Sequence, residues 1–553
     1  MKLISQIKAY WRTVVLTKEA MIVLIAMYFA IVINFPIVER IYQLSTAGHL
    51  IFSLTPVLVL TGFFIIIFSL LSSRFIFKPL LTLLLISSAA AMYAMLQYNV
   101  LFDYSMIENI FETNSSEAIS YLSSRSILYV VVFGVLPSIF LWCTPMAPSG
   151  GMFRTLLRRI ALGVIGFALV GIVTLFFYKD YASVGRNNHY LNKMIIPAHI
   201  FNTVKYLNNT YFTQHLPYAE RGQDAALLDS KNNKPTLFVL VVGETARAEN
   251  MAYYGYGRNT NPYTEDLGLI AVNDVSSCGT ATAHSLPCMF SDFTHDNYNR
   301  EQANAQDNVL DVMKEAGVEV VWFDNDGGDK EVAARIIKHE IPASLDNALC
   351  DGQSCFDEIL VQQLSAYLSE KVANKNQHAL TNQMVALHTI GSHGPTYYNR
   401  YPKKLQRFEP ACERSDIENC SDTEIINVYD NTLVYTDYVL AQTIELLEQY
   451  SSEYNVAMVY LSDHGESLGE NGLYLHGTPY AIAPSQQTHV PWLMWLPESY
   501  TESKMLDRSC IVKQATQGEH SHDNLFHTLL GLYGVQTHLR NSQLDISQNC
   551  RIK

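Results

Sequence analysis

Five apolar runs, at about 20–38, 50–72, 79–101, 127–145 and 160–178, each approach the roughly 20 residues a helix needs to cross a bilayer. A single run of this kind fits a buried core helix. Five in succession commit the first third of the chain to a membrane. Lys2, Lys8, Arg12 and Lys18 precede the first run, Arg74 and Lys78 separate the second from the third, and Arg154, Arg158 and Arg159 separate the fourth from the fifth. The alternate loops carry only Arg40 and Arg125. Because basic loops stay cytoplasmic, the N-terminus is expected inside, and five spans carry everything after about Lys179 outside.

Charge divides at the same place. Residues 1–180 hold 12 basic and 7 acidic side chains, whereas residues 181–553 hold 26 and 45, so the formal net charge of −14 joins a +5 anchor to a −19 exported part. The acidic part lacks the basic face that nucleic-acid binding needs, which excludes that class of partner. The cysteines point to the same sidedness. Cys143 lies in a membrane run, and the other eight, Cys278, Cys288, Cys350, Cys355, Cys412, Cys420, Cys510 and Cys550, all follow the fifth span. Disulfides persist in oxidising compartments. Neighbour spacing suggests 278 with 288, 350 with 355, 412 with 420 and 510 with 550, one of many connectivities open to eight cysteines. A zinc ribbon is the alternative, but no CxxC pair is present.

Three segments are expected: a transmembrane domain over 1–180, an interfacial helix and bridging linker over 181–234, and a catalytic domain over 235–553. The bridge carries Tyr and Phe among apolar residues at mixed helical spacing, as a helix lying on a bilayer does, with ordinary domain packing as the equal alternative. The last segment alternates short β-branched runs with helical patterns, the signature of an α/β fold with a mostly parallel sheet. In the runs 236–244, 382–394 and 455–466, an apolar strand leads at once into polar, ligand-capable residues. Ligands bind beyond the carboxyl ends of strands in such sheets, so Glu244, His393, Asp463 and His464 are expected to converge. Each alone reads better as a surface turn or a helix cap. Together they offer two carboxylates and imidazole, a set zinc accepts, with His476 a further candidate.

A hydroxyl completes the set. In CGTATAHSLPC (278–288), Thr280, Thr282 and Ser285 precede a predicted helix, and the flanking cysteines can pin the segment. Exposed N–H groups at a helix start stabilise an anion, and a bound zinc lowers a hydroxyl's pKa for attack. Plain N-capping is the alternative. In the outer loop between the third and fourth spans, Asn109, Thr113 and Glu117 recur every four residues and share one helical face, suited to a lipid headgroup or simply solvated.

The motifs GETAR (243–247), RNTNP (258–262), CGTATAHSLPCMFS (278–291), SHGP (392–395) and SDHGESLGENGLYLHG (462–477), behind a five-span anchor, resemble those of the phosphoethanolamine transferases that modify lipid A, a family that includes the mobile colistin-resistance enzymes. The resemblance spans nearly the whole chain. It implies a five-helix transmembrane domain plus an α/β alkaline-phosphatase/sulfatase-like periplasmic domain, in the bacterial inner membrane. It implies zinc on Glu244, Thr282, Asp463 and His464, with Thr282 as the nucleophile that takes phosphoethanolamine from phosphatidylethanolamine and passes it to lipid A, giving polymyxin resistance. His393 and His476 match residues beside the phosphoryl group that can bind further zinc. Lys330, in the less well matched loop DNDGGDK, falls near a substrate-binding lysine. Asn109, Thr113 and Glu117 match positions that bind the ethanolamine donor. Cys350 and Cys355 are closer than in some relatives, and Cys510 with Cys550 looks like an addition. A sulfatase is the nearest alternative, but its CxPxR-type signature is missing here. Hydrolysis differs from transfer only in the acceptor, and a zinc-stabilised envelope protein without turnover would give Thr282 no role.

Overall fold

The computed structural model describes residues 15–552 apart from 45–49, 74, 114–117, 120, 149, 214–215, 233, 376 and 378. The chain forms two compact units. One comprises residues 1–107 and 122–210, and the other comprises 108–121 and 211–553.

In the first unit, four helices among the described residues are long and apolar enough to cross a membrane, and a bent pair raises the number to five if it makes one span. The four are α3 (Leu50–Leu70), α4 (Phe77–Tyr98), α6 (Ser124–Cys143) and α7 (Met152–Asn187). The bent pair is α1 (Lys18–Tyr28), continued by a π-turn over Phe29–Ile33, and α2 (Phe35–Leu44), with a 55° bend between them. The first expected span is therefore broken where the apolar run looked continuous. Asn34 sits at the break, fully buried. Its amide donates to Phe29 O (3.0 Å) and Ile196 O (2.9 Å) and accepts from Ile196 N (2.8 Å), so one side chain replaces the backbone partners the helix gives up. Helices α3 and α7 touch through glycine. A Cβ on Gly62 would meet Gly166 O at 2.7 Å, and one on Gly166 would meet Gly62 O at the same distance, the close approach that small residues allow between membrane helices. Helix α8 (Ala198–Tyr211) exposes Phe201, Val204 and Tyr211 along with its polar residues.

The second unit is built on a seven-stranded sheet of β1 (Thr236–Gly243), β2 (Ile270–Val272), β3 (Glu319–Asp324), β4 (Ile337–Glu340), β5 (Gln383–His388), β6 (Asn455–Ser462) and β7 (Trp492–Trp495). The order is β2-β7-β6-β1-β5-β3-β4, and only β7 runs against its neighbours. Every residue of β1, β5 and β6 is buried, because helices cover both faces, and this explains why the strands read as unbroken apolar runs. Phe238, Leu240 and Val242 of β1 pack with Ala457, Val459 and Leu461 of β6 and with Phe526 and Leu529 in one core. Register then fixes the site. Gly243 pairs with Ser462, Val242 with His388, and His388 with Asp324, so the central strands end in one row.

Four disulfides join Cys278 to Cys288, Cys350 to Cys355, Cys412 to Cys420 and Cys510 to Cys550, all in the second unit, and Cys143 is free. Helix α5 (Tyr104–Glu112) stops one residue short of Thr113, whose N–H (2.9 Å) and hydroxyl (2.7 Å) both donate to Asn109 O. The four-residue repeat is thus seen at Asn109 and Thr113, while Glu117 lies outside the described residues.

Candidate active site

Glu244 and Asp463 are the first residues past β1 and β6, and the aligned strand ends bring them side by side. Thr245 holds a positive φ of 59°, a conformation that costs a β-branched residue energy and collects at functional sites. The strain turns the Thr245 hydroxyl onto Glu244 Oε1 (2.5 Å) and its N–H onto Asp463 Oδ1 (3.2 Å). His464 N also donates to Asp463 Oδ1 (2.7 Å). The His464 Nδ1–H bonds to Gly465 O (2.9 Å), so Nε2 is the ring nitrogen that faces the carboxylates, 3.5 Å from Glu244 Oε1 and 3.4 Å from Asp463 Oδ2. On the far side, Gly391 (φ 49°) lets the loop after β5 cross Glu244, since a Cβ there would lie 2.6 Å from Glu244 O.

Helix α9 (Thr282–Met289) delivers the hydroxyl. Thr282 opens the helix, and its Oγ1 is 3.1 Å from Glu244 Oε2 and 3.3 Å from His464 Nε2. No side chain caps this end; the His284 N–H is taken by Ala281 O (3.0 Å), and the helix start still favours an anion. The neighbouring hydroxyls are spent on position: Ser285 donates to Asp463 O (2.5 Å) and Thr280 to Thr478 O (2.6 Å). Residues 278–288 are closed by the disulfide.

Glu244, Asp463 and His464 each offer a ligand atom within 4.8 Å of the others, all buried. Burial pushes the Glu244 acid up, and the Asp463 charge pushes it further, so the pair is poorly matched to an interior without a cation. Asp463 Oδ2 has no hydrogen-bond partner among the described residues. An orphaned buried oxygen beside a second carboxylate, an imidazole and a hydroxyl is a donor set that fits zinc.

His476 and His393 border this group. The His476 ring lies 4.5 Å from that of His464, centre to centre, and 5.3 Å from that of His393. Glu466 orients His476 through Nδ1 (2.8 Å) and accepts from the Tyr397 hydroxyl (2.5 Å), while His393 Nδ1–H bonds to Gly394 O (2.7 Å). Lys330 Nζ donates to Glu112 O (3.2 Å), and its charge acts on Asp326 in the same loop. Glu108 and Glu112 pair with Arg300 at 3.3 and 2.7 Å, and Arg300 also donates to Ala283 O (2.8 Å) in the first turn of α9.

Residues 236–535 match the sulfatase family model, and residues 60–211 match the model described as phosphoethanolamine transferase EptA/EptB. The chain is 39% identical to phosphoethanolamine transferase EptA of Escherichia coli K12 over 542 residues, 96% of this chain and 97% of that protein. The chain belongs to the phosphoethanolamine transferase family. Phosphatidylethanolamine transferase Mcr-1 of Escherichia coli is 35% identical over 92% of this chain and 94% of its own length. Among solved structures, the integral membrane lipooligosaccharide phosphoethanolamine transferase A of Neisseria meningitidis superposes with a TM-score of 0.92 at 34% identity, covering 98% of this chain and all of that one.

Several residues of this transferase's site escape a reading of the sequence. His388 closes β5 by the same strand-end rule that singles out His393, and Glu466 sits inside a quoted motif. Asp324 ends an unremarkable strand, and Asp326 follows two residues later in the loop. Arg300 carries no local signal at all, since its partners lie almost 200 positions away.

Proposed function

We propose that this transferase carries phosphoethanolamine from phosphatidylethanolamine to lipid A through a phosphoethanolamine ester on Thr282, with zinc held by Glu244, Thr282, Asp463 and His464. The observation that carries the reading is the Thr282 hydroxyl, set at an uncapped helix start within 3.3 Å of both Glu244 and His464. Zinc bound there supplies Lewis-acid charge that acidifies the hydroxyl and offsets charge on the phosphoryl group.

In the first step Thr282 Oγ1 bonds to the donor's phosphorus and the bond from phosphorus to the glycerol oxygen breaks. The hydroxyl proton ends on that oxygen, and diacylglycerol leaves. In the second step an oxygen of lipid A bonds to phosphorus, the threonine ester breaks, and Thr282 regains a proton. The Nδ1 atoms of His393 and His476 are engaged internally, so Nε2 is the atom in each that relays a proton or steadies a phosphoryl oxygen. Further zinc near these two histidines belongs to the same reading. Asn109, Thr113 and Glu117 hold the donor headgroup, the carboxylate taking the ammonium, and Lys330 meets its phosphate.

The enzyme works in the bacterial inner membrane with its N-terminus cytoplasmic. Residues 1–180 are the anchor, 181–234 the interfacial bridge and 235–553 the periplasmic catalytic domain; the disulfides of that domain suit an oxidising compartment. Adding an ethanolamine ammonium to an anionic lipid A lowers the negative charge of the outer surface, so polymyxins bind less well. Incubation of the purified protein with fluorescent phosphatidylethanolamine tests this reading. Diacylglycerol release with a phosphoethanolamine adduct on the Thr282 peptide is expected; release without any adduct would overturn the covalent step.

A further inference from the structure

A second group of ligand atoms shares Glu244 with the first. Glu244, Asp326 and His388 each offer one ligand atom, and these lie within 4.8 Å of one another. The His388 side chain is fully buried, and that of Asp326 is 9% exposed. The mechanism above uses neither.

The arrangement around His388 fixes which atom faces the group. Asp324 Oδ2 lies 3.0 Å from His388 Nδ1 and accepts from the Trp322 indole (2.9 Å), while Asp324 Oδ1 accepts from Gly327 N (2.8 Å) and Gly328 N (3.0 Å). A carboxylate so well supplied with donors stays ionised and takes the Nδ1–H, so Nε2 is the ring nitrogen that faces the group. Burial lowers the imidazole's pKa, but the Asp324 charge outweighs it and raises it to about 9, so a cation bound there would displace the Nε2 proton. That nitrogen is buried and has no hydrogen-bond partner among the described residues. It points at Asp326 Oδ2, 3.8 Å away. The separation is too long for a hydrogen bond, whose N–O distance is about 2.7–3.2 Å. It is close to what two ligands span when each bonds one ion at about 2.0–2.2 Å. A carboxylate on Nδ1 and an Nε2 that makes no hydrogen bond form the arrangement by which proteins orient a metal-binding histidine.

We propose that Glu244, Asp326 and His388 bind a second divalent cation of the zinc or manganese type, with Glu244 bridging it to the first. The two carboxylates and the imidazole suit either ion. The inference rests on the reading of Glu244 as a ligand of the first ion. A second cation sharing Glu244 would offset the buried negative charge that Glu244 and Asp326 place beside each other, to which the Lys330 charge in the same loop also answers.

The test uses the full chain in detergent, stripped of metal, reloaded with zinc alone or manganese alone, and analysed for bound metal per chain after gel filtration. Asp326→Asn and His388→Gln are each expected to bind one ion fewer than the unaltered protein, and Asp463→Asn to lose the other. Asp326→Asn, whose side chain is at the edge of the buried group, is the arm least exposed to misfolding. A melting curve is run beside each variant. Equal metal content in Asp326→Asn and the unaltered protein, or loss of every ion from a variant that still melts normally, overturns the second site. In crystals grown at saturating zinc, an anomalous peak within bonding distance of His388 Nε2 is expected; its absence beside an occupied first site also overturns it. A protein that transfers phosphoethanolamine yet shows no metal difference rejects this site alone, whereas two ions without transfer reject the functional reading alone.

Discussion

Nε2 of His464 stands 3.3 Å from the hydroxyl oxygen of Thr282, although 182 positions separate the two residues. The contact exists because β6 ends beside β1 in register and because the Ser285 hydroxyl fastens α9 to Asp463 O. Removing the hydroxyl leaves that scaffold intact. Thr282→Ala is expected to lower diacylglycerol release by at least about a thousandfold, the scale seen when a nucleophile is deleted, with an unchanged melting curve. Thr282→Ser, which keeps the oxygen, is expected to retain measurable turnover. Equal rates in the Ala variant and the unaltered protein would remove Thr282 from the reaction.

Metal removal tests the buried carboxylates. With Glu244 and Asp463 side by side and one Asp463 oxygen unpartnered, the metal-free site holds repelling charge, and a bound cation relieves it. A ligand present at about a thousand times its Kd adds about 4 kcal/mol of stability. Chelation is expected to abolish transfer and to lower the melting temperature by several degrees, with zinc restoring both. Asp463→Asn is expected to bind zinc much more weakly and to show little response to the chelator. A chelator-insensitive enzyme would exclude a metal role for this group.

How much of this was legible in the sequence depends on how each residue reaches the site. Glu244, Asp463 and His464 were readable because a parallel sheet delivers whatever follows its apolar strands to one edge. The first span looked continuous because Asn34 is one polar residue in an apolar run; its break shows only in the bonds it makes to Phe29 and Ile196, the latter 162 positions distant. The face of Asn109 and Thr113 was visible as polar residues four apart, and the Thr113 bonds to Asn109 O join the two along that face. Arg300 and Asp324 act through partners brought by tertiary packing. Periodicity carries no trace of such partners.

Lys504 gives a pH test away from the active site. Burial, and then the nearby Arg551 charge, pull its ammonium down to about 7 from an ordinary 10.5. Nζ lies 4.8 Å from the centre of the Tyr533 ring. The unfolded chain binds this proton more tightly than the fold does, so the group costs stability below pH 7, and the cost fades as pH rises towards 10.5. Each tenfold loss of proton affinity is worth about 1.4 kcal/mol, which makes the full cost several kcal/mol. Lys504→Met is expected to raise the melting temperature, most at pH 6–7 and least near pH 10. A difference that does not vary with pH would show that packing, not protonation, sets the effect.

Arg300 couples helix α9 to the segment that carries Asn109. Its guanidinium donates to Ala283 O beside Thr282 and pairs with Glu108 and Glu112, and the side chain is only 17% exposed. Burial pushes the Glu108 acid up, and the Arg300 charge pulls it back. Without Arg300, Glu108 is left buried and unpaired, a loss of about 3–5 kcal/mol where burial is complete and less here. The segment 108–113 then has weaker reason to stay against α9, while no ligand of the first metal group is touched. Arg300→Gln is expected to raise the KM for phosphatidylethanolamine about tenfold, roughly 1.4 kcal/mol, and to leave zinc content unchanged. The double variant Arg300→Gln with Glu112→Gln is expected to do little more than Arg300→Gln alone, because both remove one pairing. Lost zinc with an unaltered KM would place Arg300 in the support of the metal site instead.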